Sequence, residues 1–184
     1  LRMGAELGFA THALPLVEDA GERVSSTAVR AALANAELDR AAILLGRPYA
    51  IPGRVVRGKQ LGRTLGYPTA NLRFGGKRPP MHGIFATWVH GVGDRPMASV
   101  SSLGTRPTVN GKEPLLEAHL FDFNGDLYGR RISVEFVAKL RDELKFDGLP
   151  ALIEQMDRDS ADARAILAGR ASAGQSHSLS LTTP

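Results

Sequence analysis

Apolar positions recur in two different rhythms along this chain. From Val24 to Gly46 the run VSSTAVRAALANAELDRAAILLG is Ala-rich, with Val29, Leu33, Ile43 and Leu44 as apolar contacts. Ser25 or Ser26 stands where an N-cap is needed, and Gly46 and Pro48 end the run, so residues 1–46 are expected to be mostly helical. Past the LGRPY turn the rhythm shortens. RVVR, GIFATWVHGV, MASVSSLG, LLEAHLFDF and RISVEFVAKL are rich in β-branched and aromatic residues, with Gly, Pro or Asn between them, and predict short antiparallel strands. Asn110-Gly111 and Asn124-Gly125 are candidate hairpin turns, because both residue types tolerate positive φ. Several such strands make a small barrel or sandwich. From Leu149 to Leu167 a helical period returns: Leu149, Leu152, Ile153, Met156, Ala163, Ile166 and Leu167 fall on one stripe, with Asp157, Arg158, Asp162 and Arg164 opposite. The closing GRASAGQSHSLSLTTP has almost no core-forming residues and predicts a disordered tail over residues 169–184. The change of rhythm places a domain boundary between residues 46 and 47.

Composition narrows the function classes. With 184 residues and 43% hydrophobic content, the chain can bury one sizeable domain plus an appendage. The absence of cysteine excludes disulfides, thiolate zinc sites and cysteine nucleophiles, and suits a reducing cytoplasm. The longest stretch free of Asp, Glu, Lys and Arg, Pro79 to Gly93, is too short and too broken to span a bilayer, so no membrane partner is expected. The sequence opens at Leu1 without a basic n-region, which argues against a signal peptide and for further sequence upstream. The net charge of +4 is uneven. Arg40, Arg47, Arg54, Arg57, Lys59, Arg63, Arg73, Lys77 and Arg78 lie in a block from Arg40 to Gly93 that contains no acid. Such a block attracts anions, whether nucleotide phosphates, nucleic acid or anionic lipid, or is simply a solvated basic face.

The candidate chemistry sits inside and after this block. Gly53 to Lys59, GRVVRGK, has the spacing of a phosphate-binding P-loop, but Gln60 occupies the position that needs Ser or Thr for Mg²⁺, and RVVR reads as strand. Gly58, Gly62 and Gly66, with Lys59 and Arg63 between them, fit either a glycine-rich loop or a flap whose N–H groups and cations meet a polyphosphate. In PTAN, Pro68 biases Tyr67 toward extended backbone, and Thr69 and Asn71, two apart, project to one side of a strand. A hydroxyl and an amide carbonyl are neutral hard-oxygen ligands that Mg²⁺ accepts, although Thr and Asn beside a turn also bond to local backbone. In LLEAHLFDF, alternation puts Glu117, His119, Phe121 and Phe123 on one face and Leu116, Ala118, Leu120 and Asp122 on the other. A half-buried Glu117 would suit a general base, with His119 orienting it; the plain alternatives are an ion-paired edge carboxylate and a structural histidine. LRDELKF offers Arg141 and Phe146 for an aromatic-ligand pocket or for a helix approach.

Taken in order, GRPYAIPGRVVRGKQLGRTLGYPTANL, GIFATWV, LGTRPT, LEAHLFDFNGDLYG and LRDELKF resemble riboflavin kinase, the C-terminal module of bacterial bifunctional FAD synthetase, over residues 46 to about 168. The resemblance implies a mainly β, six-stranded antiparallel Greek-key barrel closed by a C-terminal helix (residues 47–168), and transfer of the ATP γ-phosphate to riboflavin to give FMN and ADP. It implies Mg²⁺ on Thr69 and Asn71, ATP contacts at Gly58, Arg63, Thr69, Asn71, Leu120, Asp122 and Tyr128, Glu117 as catalytic base, and flavin contacts at Arg141 and Phe146. Leu144 departs from the Lys common in the family, so a flavin-site cation is either absent or supplied by Lys145. VSSTAVRAAL resembles the end of the family's FMN adenylyltransferase domain, with Ser25, Ser26, Thr27 and Arg30 as its nucleotide contacts. The HxGH-type site of that domain is absent, His12 standing alone, so residues 1–46 are expected to be its tail, unable to make FAD without the missing domain in cis. A basic RNA-binding barrel is the competing class, but Tyr49, Tyr67 and Phe74 give the block few stacking surfaces, and no nucleic-acid partner is expected. A passive flavin-binding barrel would need neither PTAN nor Glu117.

Overall fold

The computed structural model describes residues 7–8, 18–19, 21–58, 61–74, 79–108 and 111–178. A short hairpin, β1 (Glu18–Asp19) and β2 (Glu22–Arg23), stands within the segment expected to be mostly helical, where Gly21 takes positive φ at the turn, and leads into two helices, α1 (Ser26–Ala34) and α2 (Leu38–Leu45). Of the two candidate caps it is Ser25 that caps α1, its side chain accepting from the Ala28 N–H at 3.1 Å. The predicted single helix is broken at Asn35 and Ala36, where Ala36 takes φ 58°. That left-handed residue is costly for alanine, and what offsets it is burial: the bend lets Ala32, Leu33, Leu38, Ala41 and Leu44 all join one core.

Six strands close into a barrel: β3 (Ala50–Val56), β4 (Ala70–Arg73), β5 (Gly83–His90), β6 (Met97–Thr108), β7 (Gly111–Leu120) and β8 (Arg131–Arg141). Their order round the barrel is β3-β4-β7-β6-β5-β8, with every neighbour antiparallel. β5, β6 and β7 follow as hairpins and β8 returns beside β5, which is a Greek key. The predicted reversal near Asn110-Gly111 does occur, with Thr108 paired to Gly111, although Asn110 itself lies outside the described residues. Asn124-Gly125 is a correction. It makes no hairpin, because β7 and β8 are not neighbours; the chain from Phe121 to Arg130 instead crosses an end of the barrel, with its positive φ at Asp122 and Gly129. Arg54, Val55 and Val56 of RVVR lie within β3, which removes the P-loop reading.

Alternation sorts the barrel strands into two faces. Phe85, Val89, Leu103, Leu116, Ala118, Leu120, Ile132, Val134 and Phe136 fill the interior, where Phe85 meets Phe136 edge-on at 5.2 Å. On the outside, Ala86 and Phe121 pack against Ala163 and Leu167 of the closing helix α4 (Leu149–Ser178). The predicted apolar stripe is thus the packing face at its C-terminal end, whereas Leu149 is exposed. The helix also continues through residues 169–178, where a disordered tail was expected; residues 179–184 lie outside the described residues. Among the described residues no helix is long and apolar enough to cross a membrane.

Candidate active site

PTAN runs from a turn into the barrel wall. The glycine segment before it forms a one-turn helix, α3 (Leu61–Thr64), closed by Tyr67 N–H donating to the Gly62 carbonyl at 2.7 Å. Gly62 is required there, since a Cβ would lie 2.3 Å from the Tyr67 carbonyl oxygen. β4 pairs Ala70 with Ala118, Asn71 with Glu117 and Leu72 with Leu116. Ala70 and Leu72 point inward, so Asn71 and Glu117 stand side by side on the outer face, where directly opposed residues are neighbours. Thr69 and Asn71 do share a side: the Asn71 Nδ2 lies 3.4 Å from both the Thr69 hydroxyl and the Thr69 carbonyl. The local backbone bond is therefore made, but by the nitrogen, which leaves the Asn71 Oδ1 as the ligand-type atom. Asn71 is only 6% exposed. Gly58 is what makes room, because a Cβ at that position would sit 2.5 Å from the Asn71 Oδ1.

Two clefts meet at Thr69, which lines both. One, of about 300 Å³, runs along the outer face between β6, β7 and α4. Glu117, His119 and Ser102 stand on its barrel side, while Arg141, Phe146, Leu152 and Met156 close it from β8, the following loop and the helix. Its lining is mostly apolar with a few converging polar groups, the usual make-up of a site for a flat organic ligand. The second, of about 480 Å³, opens at the barrel end beneath the β7–β8 crossover and is lined by Arg63, Pro68, Thr69, Leu120, Asp126 and Tyr128 among others. Arg57 stacks over the Tyr128 ring at 5.2 Å, so cations from the acid-free block do gather at this mouth.

Arg141 is held by a partner that sequence reasoning missed. Its guanidinium makes a forked pair with Asp159, at 2.9 Å from Nε to Oδ1 and 2.6 Å from Nη2 to Oδ2, and lies 5.8 Å from the centre of the Phe146 ring. Asp159 is 5% exposed and falls within the apolar stripe of α4; an acid at an inward position was the available signal. Leu144 lines the same cleft, whereas Lys145 is exposed and not part of the lining.

Other predicted residues go elsewhere. Asp122 lines neither cleft. Its positive φ turns it toward α4, where Arg164 donates two bonds at 2.8 and 2.9 Å and holds its carboxyl below the usual range, chiefly through that hydrogen bonding. His119 places its Nδ1 2.9 Å from the Pro68 carbonyl oxygen. Ser25 is engaged as a cap, Ser26 accepts from Arg30 at 3.4 Å, and Ser26, Thr27 and Arg30 are exposed on α1, outside both clefts.

The sequence profile of the flavokinase family, described as "Riboflavin kinase", matches residues 45–167. The bifunctional riboflavin kinase/FMN adenylyltransferase of Escherichia coli (strain K12) is 46% identical over 163 residues, covering 89% of this chain and 52% of that protein. The bifunctional riboflavin kinase/FMN adenylyltransferase of Bacillus subtilis (strain 168) is 37% identical over 146 residues, covering 77% of this chain and 46% of that protein. A crystal structure described as a macrolide-efflux protein from Streptococcus pneumoniae aligns with TM-score 0.73 at 36% identity, covering 82% of this chain and 50% of that chain. The chain spans about half the length of the curated relatives it matches. Because the matched profile takes in the whole barrel and most of the helix that closes it, this chain belongs to the riboflavin kinase family.

Proposed function

We propose that this chain transfers the γ-phosphoryl group of ATP to the ribityl 5′-hydroxyl of riboflavin, giving FMN and ADP. The observation that carries the reading is the position of Thr69, shared by an apolar flank cleft and a cation-rimmed end cleft, with Glu117 on the flank side and Asn71 beside it. Riboflavin lies in the flank cleft against Arg141 and Phe146, and ATP in the end cleft against Arg63, Leu120 and Tyr128. The clefts meet at one residue, which sets hydroxyl and phosphate in line and supplies the positioning on which phosphoryl transfer depends. Glu117 accepts the hydroxyl proton as the oxygen attacks phosphorus, and Arg63 offsets charge on the transferring group.

Mg²⁺ fits the donors present. Among the described residues no group of three or more His, Asp or Glu side chains is arranged to hold a metal. What the chain offers is the Thr69 hydroxyl and the Asn71 carbonyl oxygen, the latter in a space that a Cβ at Gly58 would fill. Two neutral oxygens suit a cation that keeps waters and phosphate oxygens in its shell. Held by Thr69 and Asn71, Mg²⁺ would supply charge neutralisation for the phosphate group.

The relatives are named as bifunctional, and we extend that reading to the whole protein, with FMN adenylylation to FAD assigned to the part beyond this chain and residues 1–46 as the end of that domain. A cytoplasmic location accords with a chain of 184 residues that has no cysteine. The test is FMN formation from riboflavin and MgATP by this chain, with a magnesium-free control. Glu117→Gln should retain flavin binding and lose about 10²- to 10⁴-fold in kcat, the range of one general base. Near-wild-type turnover in that variant would remove Glu117 from the role. FAD formation by this chain alone would overturn the division of labour.

A further inference from the structure

We propose that His119 is a positioning residue for the nucleotide side of the reaction: its Nδ1–H, donated to the Pro68 carbonyl, sets the orientation of Thr69. The inference rests on the kinase reading above and adds a residue to it. The β4–β7 ladder begins at Ala70, paired with Ala118. Thr69 lies one residue before it, and the position opposite in the same register is His119. Where the backbone ladder starts too late to hold Thr69, the His119 side chain supplies the missing tie at 2.9 Å. A carbonyl only accepts, so Nδ1 carries the proton. The peptide unit is planar, and Pro68 C and O lie in one plane with Thr69 N and Cα. Fixing that oxygen therefore fixes the Cα from which the Thr69 hydroxyl projects.

The ring is itself held on both sides. Tyr67 packs on it at 5.1 Å between centroids, and Phe121 meets it edge-on at 5.8 Å. The Tyr67 hydroxyl in turn donates to the Asp157 carboxylate on α4, the helix that also carries Asp159 beneath Arg141. Tyr67, His119 and Thr69 all line the flank cleft, so the same side chains that border the flavin hold the residue shared with the nucleotide cleft.

The alternative role for His119 is as plain cleft wall, and conservative variants separate the two. Asparagine places an amide N–H close to where Nδ1 stands; glutamine places it one bond too far, and alanine removes it. On the full 184-residue chain, with riboflavin saturating, His119→Ala should lower kcat/KM for MgATP about three- to tenfold, the worth of one hydrogen bond. His119→Gln should behave like alanine, and His119→Asn should return to within about twofold of wild type. Riboflavin affinity without nucleotide, read by flavin fluorescence quenching, should stay within about twofold for the asparagine variant. If asparagine is no better than alanine in an active enzyme, or if the loss falls on riboflavin affinity alone, the positioning role is overturned while the kinase reading stands. If the wild-type chain forms no FMN, both fall together.

Discussion

Gly58→Ala tests the candidate metal-binding pair without touching either member. The added methyl would lie 2.5 Å from Oδ1, 2.6 Å from Cγ and 2.7 Å from Nδ2 of Asn71, so it lands on the whole amide rather than on one atom. No positive φ constrains position 58, so alanine meets no backbone obstacle there. With Asn71 buried, the amide must turn off its rotamer, at about 0.5–1.5 kcal/mol. For a chain of this size that lowers Tm by only a few degrees, about 2–4 °C per kcal/mol. The functional loss should be larger. Withdrawing a polar contact to a charged group costs about 1.5–3 kcal/mol, or roughly ten- to 150-fold in kcat/KM for MgATP. The assay is a double-mutant cycle with Asn71→Ala, whose small side chain leaves the methyl nothing to strike. If Gly58→Ala acts through Asn71, the double variant should match Asn71→Ala within about twofold. Independent effects that multiply, or a Gly58→Ala enzyme with wild-type kinetics, would refute the argument.

Asp159→Ala leaves the Arg141 guanidinium without its forked partner at a site where the arginine side chain is 18% exposed. Breaking a buried pair from one side costs about 3–5 kcal/mol, and the partial exposure favours about 3, so Tm should fall by roughly 6–12 °C, with weaker riboflavin binding by fluorescence. An unchanged melt with unchanged flavin affinity would show that Asp159 does not set Arg141. Asp122, exposed and bonded to Arg164, should titrate below its ordinary 3.8 in a carboxyl NMR experiment and move back toward that value in Arg164→Ala. Because the folded-state value is the lowered one, the stabilising contribution of this pair is present above 3.8 and is lost as pH falls through the folded-state midpoint; a midpoint at or above 3.8 in the wild type would refute it.

The parts of this fold that local pattern can encode were legible. Alternation in LLEAHLFDF put Leu116, Ala118 and Leu120 on one face and Glu117 and His119 on the other, as found, because period 2 is a property of the strand alone; that the first face is the buried one is set by barrel closure. The two-residue spacing of Thr69 and Asn71 fixed their common side for the same reason. Where partners are chosen by barrel closure, the local reading failed. Asn124-Gly125 has hairpin composition, but β7 already has β4 and β6 as neighbours, so no edge remains for β8. Asp122 likewise follows alternation only on paper. Phe121 remains buried against α4, and the left-handed turn at Asp122 carries its carboxylate out to Arg164 rather than to a cleft.

The same distinction explains which site residues were visible. Asn71 and Glu117 stand on paired strands of the barrel wall, where strand alternation sets their side from local pattern alone, and Thr69 lies one residue before that ladder. Arg141 is aimed by Asp159 across 18 residues, and the Pro68 carbonyl is fixed by His119 across 51, contacts that exist only once α4 and β7 are in place. The two clefts are therefore unequal in origin. The end cleft is made largely by the barrel and its crossover, whereas the flank cleft has a wall, Leu152 and Met156 with Arg141 behind them, that depends on the helix being docked. Tyr67, bonded to Asp157 on that helix and packed at a tilt against His119, lines the flank cleft alongside Thr69, which both clefts share. Loosening the N-terminal half of α4 should then weaken riboflavin binding directly and MgATP use through Thr69, while a change confined to Arg63 or Tyr128 should leave the flavin cleft as it was.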